Sequence, residues 1–502
     1  MANTKEIIIL ILVLFTAVVL SYIFYSGPFV YYDDNYYILS AHQMLQGTFR
    51  PGGIPFTVET LTIASIAFSF LLFGYGPLQA ALPSLVEYLA TIIVIFFLVR
   101  KMFNGYFGGA ASFLYATAPF VVGYTTRSLP DIFTGLTVAI ACYYIYEAIE
   151  LKSERAMFFA GFFIALTMLV KTAGAIIIAS FLIGLVYLYA HKKLRKNKRM
   201  FAYAFVGIII PLLIMMLYFY LLTGNPLFNL HSYRGIVNVA PTTVFKNIIA
   251  FNISINPLYL FNVNQDPYTF PIGIIFILAF AGMILGIAKK KISIETFSLL
   301  ILIPVLYFFF GTKSLNHYTP MAFESRYLVI VAAPIAILAA YTLNALYISL
   351  RKESKAAASF IIIAIIFYSV FINLSTYRAL YYYNLGVRSY NTIYSTLIHV
   401  INDSRTNRVY LSSTLKGLDQ QYLEFLSSFN GINLSFVGPI CTPSYYGAML
   451  INSFNNFATE QNNASLISWL DSNCSLVNID SYKVYTGPNL WTEGELFKIV
   501  PR

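Results

Sequence analysis

The chain has 502 residues, of which 58% are hydrophobic and only 11% charged. Soluble globular domains carry about a quarter charged residues, so this composition excludes an ordinary water-soluble domain and makes lipid the main solvent. The net charge of +11 does not mark a nucleic-acid partner, because Lys and Arg fall in short clusters between apolar runs. Those clusters are Arg100 with Lys101, Lys152 with Arg155, Lys192 to Arg199, Lys289 to Lys291, and Arg351 to Lys355, the distribution expected of cytoplasmic loops.

Taken in chain order, Met1 to Glu6 leads directly into the apolar run Ile7 to Tyr25. Its end, Ser21-Tyr22-Ile23-Phe24-Tyr25, is not a small-residue cleavage site, so the run is expected to stay as a first spanning helix with a cytoplasmic N-terminus. Residues 26–76 then form the first external loop. Anchoring the basic clusters inside and counting crossings leaves Thr60 to Tyr75 with no side to cross to. This segment, with Thr60, Thr62, Ser65 and Ser69, is expected to lie along the membrane.

Crossings are then expected at Pro77 to Val99, Gly108 to Tyr124, Asp131 to Ile149, Met157 to Val170, Ala173 to Ala190, Phe201 to Leu222, Pro271 to Ala288, Phe297 to Gly311, Tyr327 to Leu350 and Ser359 to Leu374. With the first helix this makes about 11 spans. Residues 1–375 form the membrane domain. Residues 376–502, rich in Asn, Ser and Tyr, are expected to form a small external α/β domain, with strands at Arg408 to Ser412 and Leu434 to Val437 and a helix at Asp419 to Ser427. Asn-x-Ser sequons at Asn402, Asn433, Asn463, Asn473, Asn252 and Asn373 all fall on the side read as external. Cys441 and Cys474 lie in the tail, where a disulfide is open to them.

The residues that carry chemistry cluster on the external side. Asp33 and Asp34 stand a few residues beyond the first helix, before an amphipathic stretch containing Tyr37, Leu39, His42, Met44 and Leu45. One Asp can cap that stretch; a second is suited to take a proton from an attacking hydroxyl. Arg127-Ser-Leu-Pro-Asp131 opens a later helix, where Asp131 either complements the helix dipole or shapes a site. Lys171 interrupts an apolar region, which marks either a functional cation or one that snorkels to the surface. Arg326, before Tyr327, offers a fork suited to phosphate, with a surface pair to Glu324 as the alternative. His231 and Arg234 lie on the long external loop. Glu87 falls mid-span and is expected to face the bundle interior.

Tyr32-Asp33-Asp34, followed by Tyr37, Ala41, Met44-Leu45 and Gly47, resembles the first external loop of GT-C glycosyltransferases of the protein O-mannosyltransferase and aminoarabinose transferase kind. The Arg127 to Asp131 motif, Lys171, and the Arg326-Tyr327 to Pro334 run resemble later segments of that family. Where its loop carries a Pro-Pro-Leu-like signal, this chain has Pro51-Gly-Gly-Ile-Pro55. The resemblance implies a helical GT-C bundle with interfacial helices in the first loop, in the cell membrane. It implies transfer of a sugar, by inversion, from a polyprenyl- or dolichyl-phosphate donor to a glycan, protein or lipid acceptor. Asp33 or Asp34 would be the catalytic base, and Asp131, Arg127, Lys171, Arg234, Arg326 and Tyr327 would bind substrate. A divalent metal (Mg, Mn or Zn) is left open, with Asp33, Asp131 and His231 as candidate donors.

An oligosaccharyltransferase would need a Trp-Trp-Asp-Tyr-Gly reader, whose nearest counterpart is Trp469-Leu-Asp471. A flippase would need midplane ionisable residues and repeat symmetry. The Ile-, Tyr- and Asn-rich style with a sequon-rich tail fits an archaeal surface-glycosylation setting.

Overall fold

The computed structural model describes residues 3–25, 33–52, 55–190, 198–232, 274–312, 325–374, 376–378 and 380–381, with strand backbones between 408 and 500. Helix α1 (Thr4–Ile23) begins with a capping box in which Asn3 and Glu6 satisfy each other's backbone amides. Its 20 residues span about 30 Å, the thickness of a hydrocarbon core. Helix α2 (Asp33–Leu45) follows, then a 3-10 turn at Pro55–Thr57 and α3 (Thr60–Phe73). The 14 residues of α3 reach only about 21 Å, short of a crossing.

Helix α4 (Pro77–Met102) starts on a proline, whose missing N–H is no loss in a first turn, and ends on Arg100 and Lys101. Then come α5 (Gly105–Ala116), the single turn α6 (Pro119–Val122), α7 (Pro130–Glu150) and α8 (Glu154–Val170). The single crossing expected over Gly108 to Tyr124 is therefore broken. Pro119 forces Ala118 into extended backbone (ψ 117), and the chain to Pro130 runs buried through the protein. Beyond lie α9 (Ala175–Ala190), α10 (Lys198–Thr223), the short α11 (Phe228–Ser232), α12 (Ile274–Ala288), α13 (Ile292–Phe310), α14 (Ala332–Leu350) and α15 (Lys355–Ile372).

Eight helical segments among the described residues are long and apolar enough to cross a membrane, so this is a multi-pass membrane protein. The others read as crossings from sequence, α5, α8 and α12, have 12, 17 and 15 residues. Small residues let backbones meet: a Cβ on Gly161 would lie 2.3 Å from the Ala204 carbonyl, and one on Gly207 would lie 2.2 Å from that of Phe158. Helices α8 and α10 thus pack backbone to backbone, as membrane helices do where no hydrophobic force between them is available. The segment Arg326–Leu350, which contains α14, is the most enclosed of the candidate spans among the described residues.

In the tail, backbone strands β1 (Arg408–Leu411), β2 (Ser435–Phe436), β3 (Met449–Phe454), β4 (Ser475–Gly487) and β5 (Leu490–Val500) form one sheet in the order β2-β1-β3-β5-β4. The parallel pairings of β1 with β2 and β3, and the β4–β5 hairpin, make this a mixed sheet. Strands β1 and β2 fall where sequence placed them. Strands β3 to β5 were not read there, because Asn, Asp, Ser and Gly interrupt their apolar alternation. The helix read at Asp419 to Ser427, Cys441 and Cys474, and the sequons other than Asn373 lie outside the described residues. Asn373 caps α15 and is buried. Tyr377 and Leu380 are buried, and the Tyr377 hydroxyl donates to the Thr117 carbonyl at 2.5 Å while its ring stacks on Phe24.

Candidate active site

One end of the bundle gathers the first turn of α2, the 124–131 segment, the α8–α9 junction and a 3-10 turn at Ser325–Val331. Asp33 and Asp34 open α2, where the helix dipole favours carboxylates. They face different partners. Asp33 Oδ2 meets Arg326 Nη1 at 2.5 Å, each side chain 16% exposed. Asp34 is fully buried, and its Oδ1 accepts the Ser128 N–H at 2.6 Å. Its Oδ2 has no partner among the described residues. Asp34 is thus not the cap of its own helix; it is a tie to the 127–131 turn. Burial pushes its carboxyl well above the usual range, against the opposing pull of Arg127.

The turn that Asp34 holds is fixed from α4 as well. The Ser84 hydroxyl donates to the Arg127 carbonyl, and the Ser128 hydroxyl donates to the Ala80 carbonyl at 2.9 Å. The Arg127 guanidinium lies 5.5 Å from the Tyr124 ring. Leu129 is extended (φ −112, ψ 150) and Pro130 begins α7, which puts Asp131 in its first turn. Asp131 is fully buried and binds Lys171 Nζ at 2.5 Å through Oδ1. Lys171 therefore does not snorkel; it is 7% exposed and extended (φ −145, ψ 127) between α8 and the 3-10 turn Thr172–Gly174.

Tyr327 joins the two ion pairs. Lys171 Nζ lies 4.9 Å from its ring centre, Arg326 precedes it in the chain, and the ring stacks on Phe308 at 5.3 Å. A Cβ on Gly135 of α7 would sit 3.1 Å from the Val329 carbonyl, so α7 and the Arg326 turn pack closely. The result is a continuous polar wall: Asp33, Arg326, Tyr327, Lys171 and Asp131, with Asp34 and Arg127 behind it. Arg326 pairs with Asp33. Arg234 and Glu324 lie outside the described residues, and His231 contributes only its backbone position in α11.

Sequence reasoning missed Glu59. It is 1% exposed and sits at the start of α3. One carboxylate oxygen accepts the Tyr37 hydroxyl and the other accepts the Thr172 N–H at 3.0 Å. The available signal was a carboxylate alone before an apolar run, which at a membrane must be paired or exposed. Glu87 faces the interior, as expected of a mid-span acid, and is 8% exposed.

A family model described as dolichyl-phosphate-mannose-protein mannosyltransferase matches residues 61–219. No curated protein sequence matches the chain. Among solved structures, apo ArnT from Cupriavidus metallidurans matches with a TM-score of 0.65 and 14% identity, covering 97% of each chain. The same protein bound to undecaprenyl phosphate gives 0.64 over 99% of this chain and 98% of that one. The chain has the fold of ArnT. The Archaeoglobus fulgidus oligosaccharyltransferase, solved with Zn and sulfate, is similar in fold at a TM-score of 0.52 and 13% identity, over 84% of this chain but 61% of that one.

The zinc in that structure raises the question of a metal in this chain. Two of the three candidate donors are committed elsewhere. Asp33 is held by Arg326 and Asp131 by Lys171, and a cation at each carboxylate opposes a second one. Among the described residues no three His, Cys, Asp or Glu side chains form a metal-holding group. Asp33 and Asp131, each paired with a cation, are therefore poor metal donors as they stand.

Proposed function

We propose that the protein is a membrane glycosyltransferase that moves a sugar from a polyprenyl- or dolichyl-phosphate donor to a hydroxyl-bearing acceptor at the Asp33 end of the bundle. The observation that carries this reading is the pairing of two cations, Arg326 and Lys171, with two carboxylates, Asp33 and Asp131, around one tyrosine at a helix-bundle end. Each cation suits a phosphate oxygen, and a carboxylate released beside it can accept a proton. ArnT, which the chain resembles over nearly its full length, has been solved with undecaprenyl phosphate.

In this reading the donor's phosphate draws Arg326 and Lys171 toward it. The acceptor oxygen attacks the anomeric carbon, its proton passes to Asp33, and the bond from that carbon to the phosphate oxygen breaks. Polyprenyl phosphate leaves with its negative charge met by the two cations. One displacement with one base inverts the anomeric centre. Asp33 is the base because it lies at the edge of the site and meets Arg326, whereas Asp34 is buried and bound to a backbone amide. Arg100, Lys101 and Lys291 lie at the opposite end, paired with Glu6, Glu147 and Glu150. That distribution supports a cytoplasmic N-terminus and an external active face in a cell membrane. Transfer of a whole oligosaccharide is less well supported, since the chain spans 61% of the Archaeoglobus enzyme's length.

The test supplies proteoliposomes with labelled sugar on polyprenyl phosphate or on a nucleotide. Transfer from the lipid-linked donor alone is expected. Transfer from the nucleotide sugar without any polyprenyl phosphate would show that the donor class is wrong.

A further inference from the structure

We infer that Glu59 and Thr62 form a positioning bracket for Lys171, so that the first loop of the chain sets the affinity of the site for a polyprenyl phosphate. The inference rests on the donor reading above.

Lys171 occupies a single extended residue between two helices, a place where backbone direction sets where the ammonium points. Both neighbours are held from the start of α3. The Thr62 hydroxyl donates to the Val170 carbonyl at 3.0 Å, and the Thr172 N–H donates to Glu59 Oε1 at 3.0 Å. Residues 59 and 62 are one helical turn apart, so the contacts come from one rigid unit. Glu59 begins α3 without accepting a bond from that helix's own amides, although capping is the usual task of a side chain at such a position. Its carboxylate is directed across to the α8–α9 junction. The second oxygen takes the Tyr37 hydroxyl, one turn along α2 from Asp33. One buried carboxylate therefore links the helix that carries the base to the junction that carries the phosphate cation. A charged acceptor without these bonds would be expensive to bury.

The geometry also says what each substitution changes. Glu59→Gln keeps an oxygen for the Thr172 amide and an NH2 for the Tyr37 oxygen. Glu59→Ala removes both contacts, and Thr62→Val removes only the hydroxyl while keeping its shape. None of the three touches Lys171 itself.

The experiment measures binding of undecaprenyl phosphate to the full-length protein in nanodiscs, together with thermal melting of the same samples. Glu59→Ala is expected to weaken binding about tenfold, Thr62→Val about threefold, and Glu59→Gln less than about twofold, the range expected for one or two buried hydrogen bonds. If Glu59→Ala does not fold, Thr62→Val and Glu59→Gln carry the comparison. Lower melting with unchanged affinity in Glu59→Ala and Thr62→Val makes the bracket purely structural and overturns the inference. Equal loss in Glu59→Gln also overturns it, since charge and not geometry would then be at work. Absence of binding by the wild type removes the donor reading, and this inference with it. Binding by the wild type with unchanged binding by the variants removes this inference alone.

Discussion

The two ends of the helix bundle use the same chemistry at different depths. At the end where α1 begins, Glu6 pairs with Arg100, Glu147 with Lys101 and Glu150 with Lys291, with the basic side chains 28%, 35% and 46% exposed. At the other end, the side chains of Lys171 and Asp131 are 8% and 0% exposed and those of Arg326 and Asp33 are 16% each. Pairs of the first kind are screened by water and contribute little to stability. Pairs of the second kind give up hydration that their attraction barely returns, so stability alone does not account for them. The contrast teaches where to look: under the proposed function the buried pairs bind or release, while the solvated pairs only tie helix ends.

The contrast can be broken most sharply at Lys171. Lys171→Met strands a fully buried Asp131 and is expected to lower stability by about 3–5 kcal/mol, read as a large fall in melting temperature. Adding Asp131→Asn should restore most of that stability without restoring transfer. A single variant that melts like the wild type would mean the pair is solvated in the membrane. Next in size, Arg326→Ala should raise the donor KM about tenfold or more through loss of a charge-assisted contact. Unchanged donor saturation would remove Arg326 from the phosphate site.

The pH response at Asp34 gives a smaller effect. Its carboxyl is raised by burial, so the folded protein holds a proton that the unfolded chain releases. Stability from this group is present at acid pH and is lost as pH rises from the unfolded value through the folded one. Asp34→Asn, which keeps an oxygen for the Ser128 amide, should abolish that decline while altering transfer little. A melting temperature that falls with pH as steeply in the variant would assign the slope to another group. Smallest of all, Lys101→Ala should change stability by no more than about 1 kcal/mol and leave transfer alone. A strong loss of activity there would erase the difference between the two ends.

Much of this was legible in the sequence, because lipid makes charge conspicuous. Asp33, Asp131, Lys171 and Arg326 each stand at the end of an apolar run, where an unpaired charge is hard to keep. The short, polar-flecked α3 betrayed itself by parity. Partners separated by long stretches of chain were not legible: Asp33 and Arg326 are 293 positions apart, and sequence offered the nearer Glu324 instead. Nor was the break in the expected crossing at Gly108 to Tyr124. Pro119 supplied a signal there, but its effect on Ala118 was outweighed by the length of the apolar run. Glu59 escaped because a lone acid carries no pattern until its two partners, Tyr37 and Thr172, are brought to it by the fold.

The central claim is that the Asp33 end is the reacting end and that its two adjacent acids have separate tasks. The most direct measurement is transfer of labelled sugar from polyprenyl phosphate in proteoliposomes holding equal amounts of wild type, Asp33→Asn and Asp34→Asn. The expected result is a loss of about a hundredfold or more for Asp33→Asn, the scale of a general base, with Asp34→Asn retaining most of the rate. Full activity in Asp33→Asn, or a loss confined to Asp34→Asn, would contradict the account.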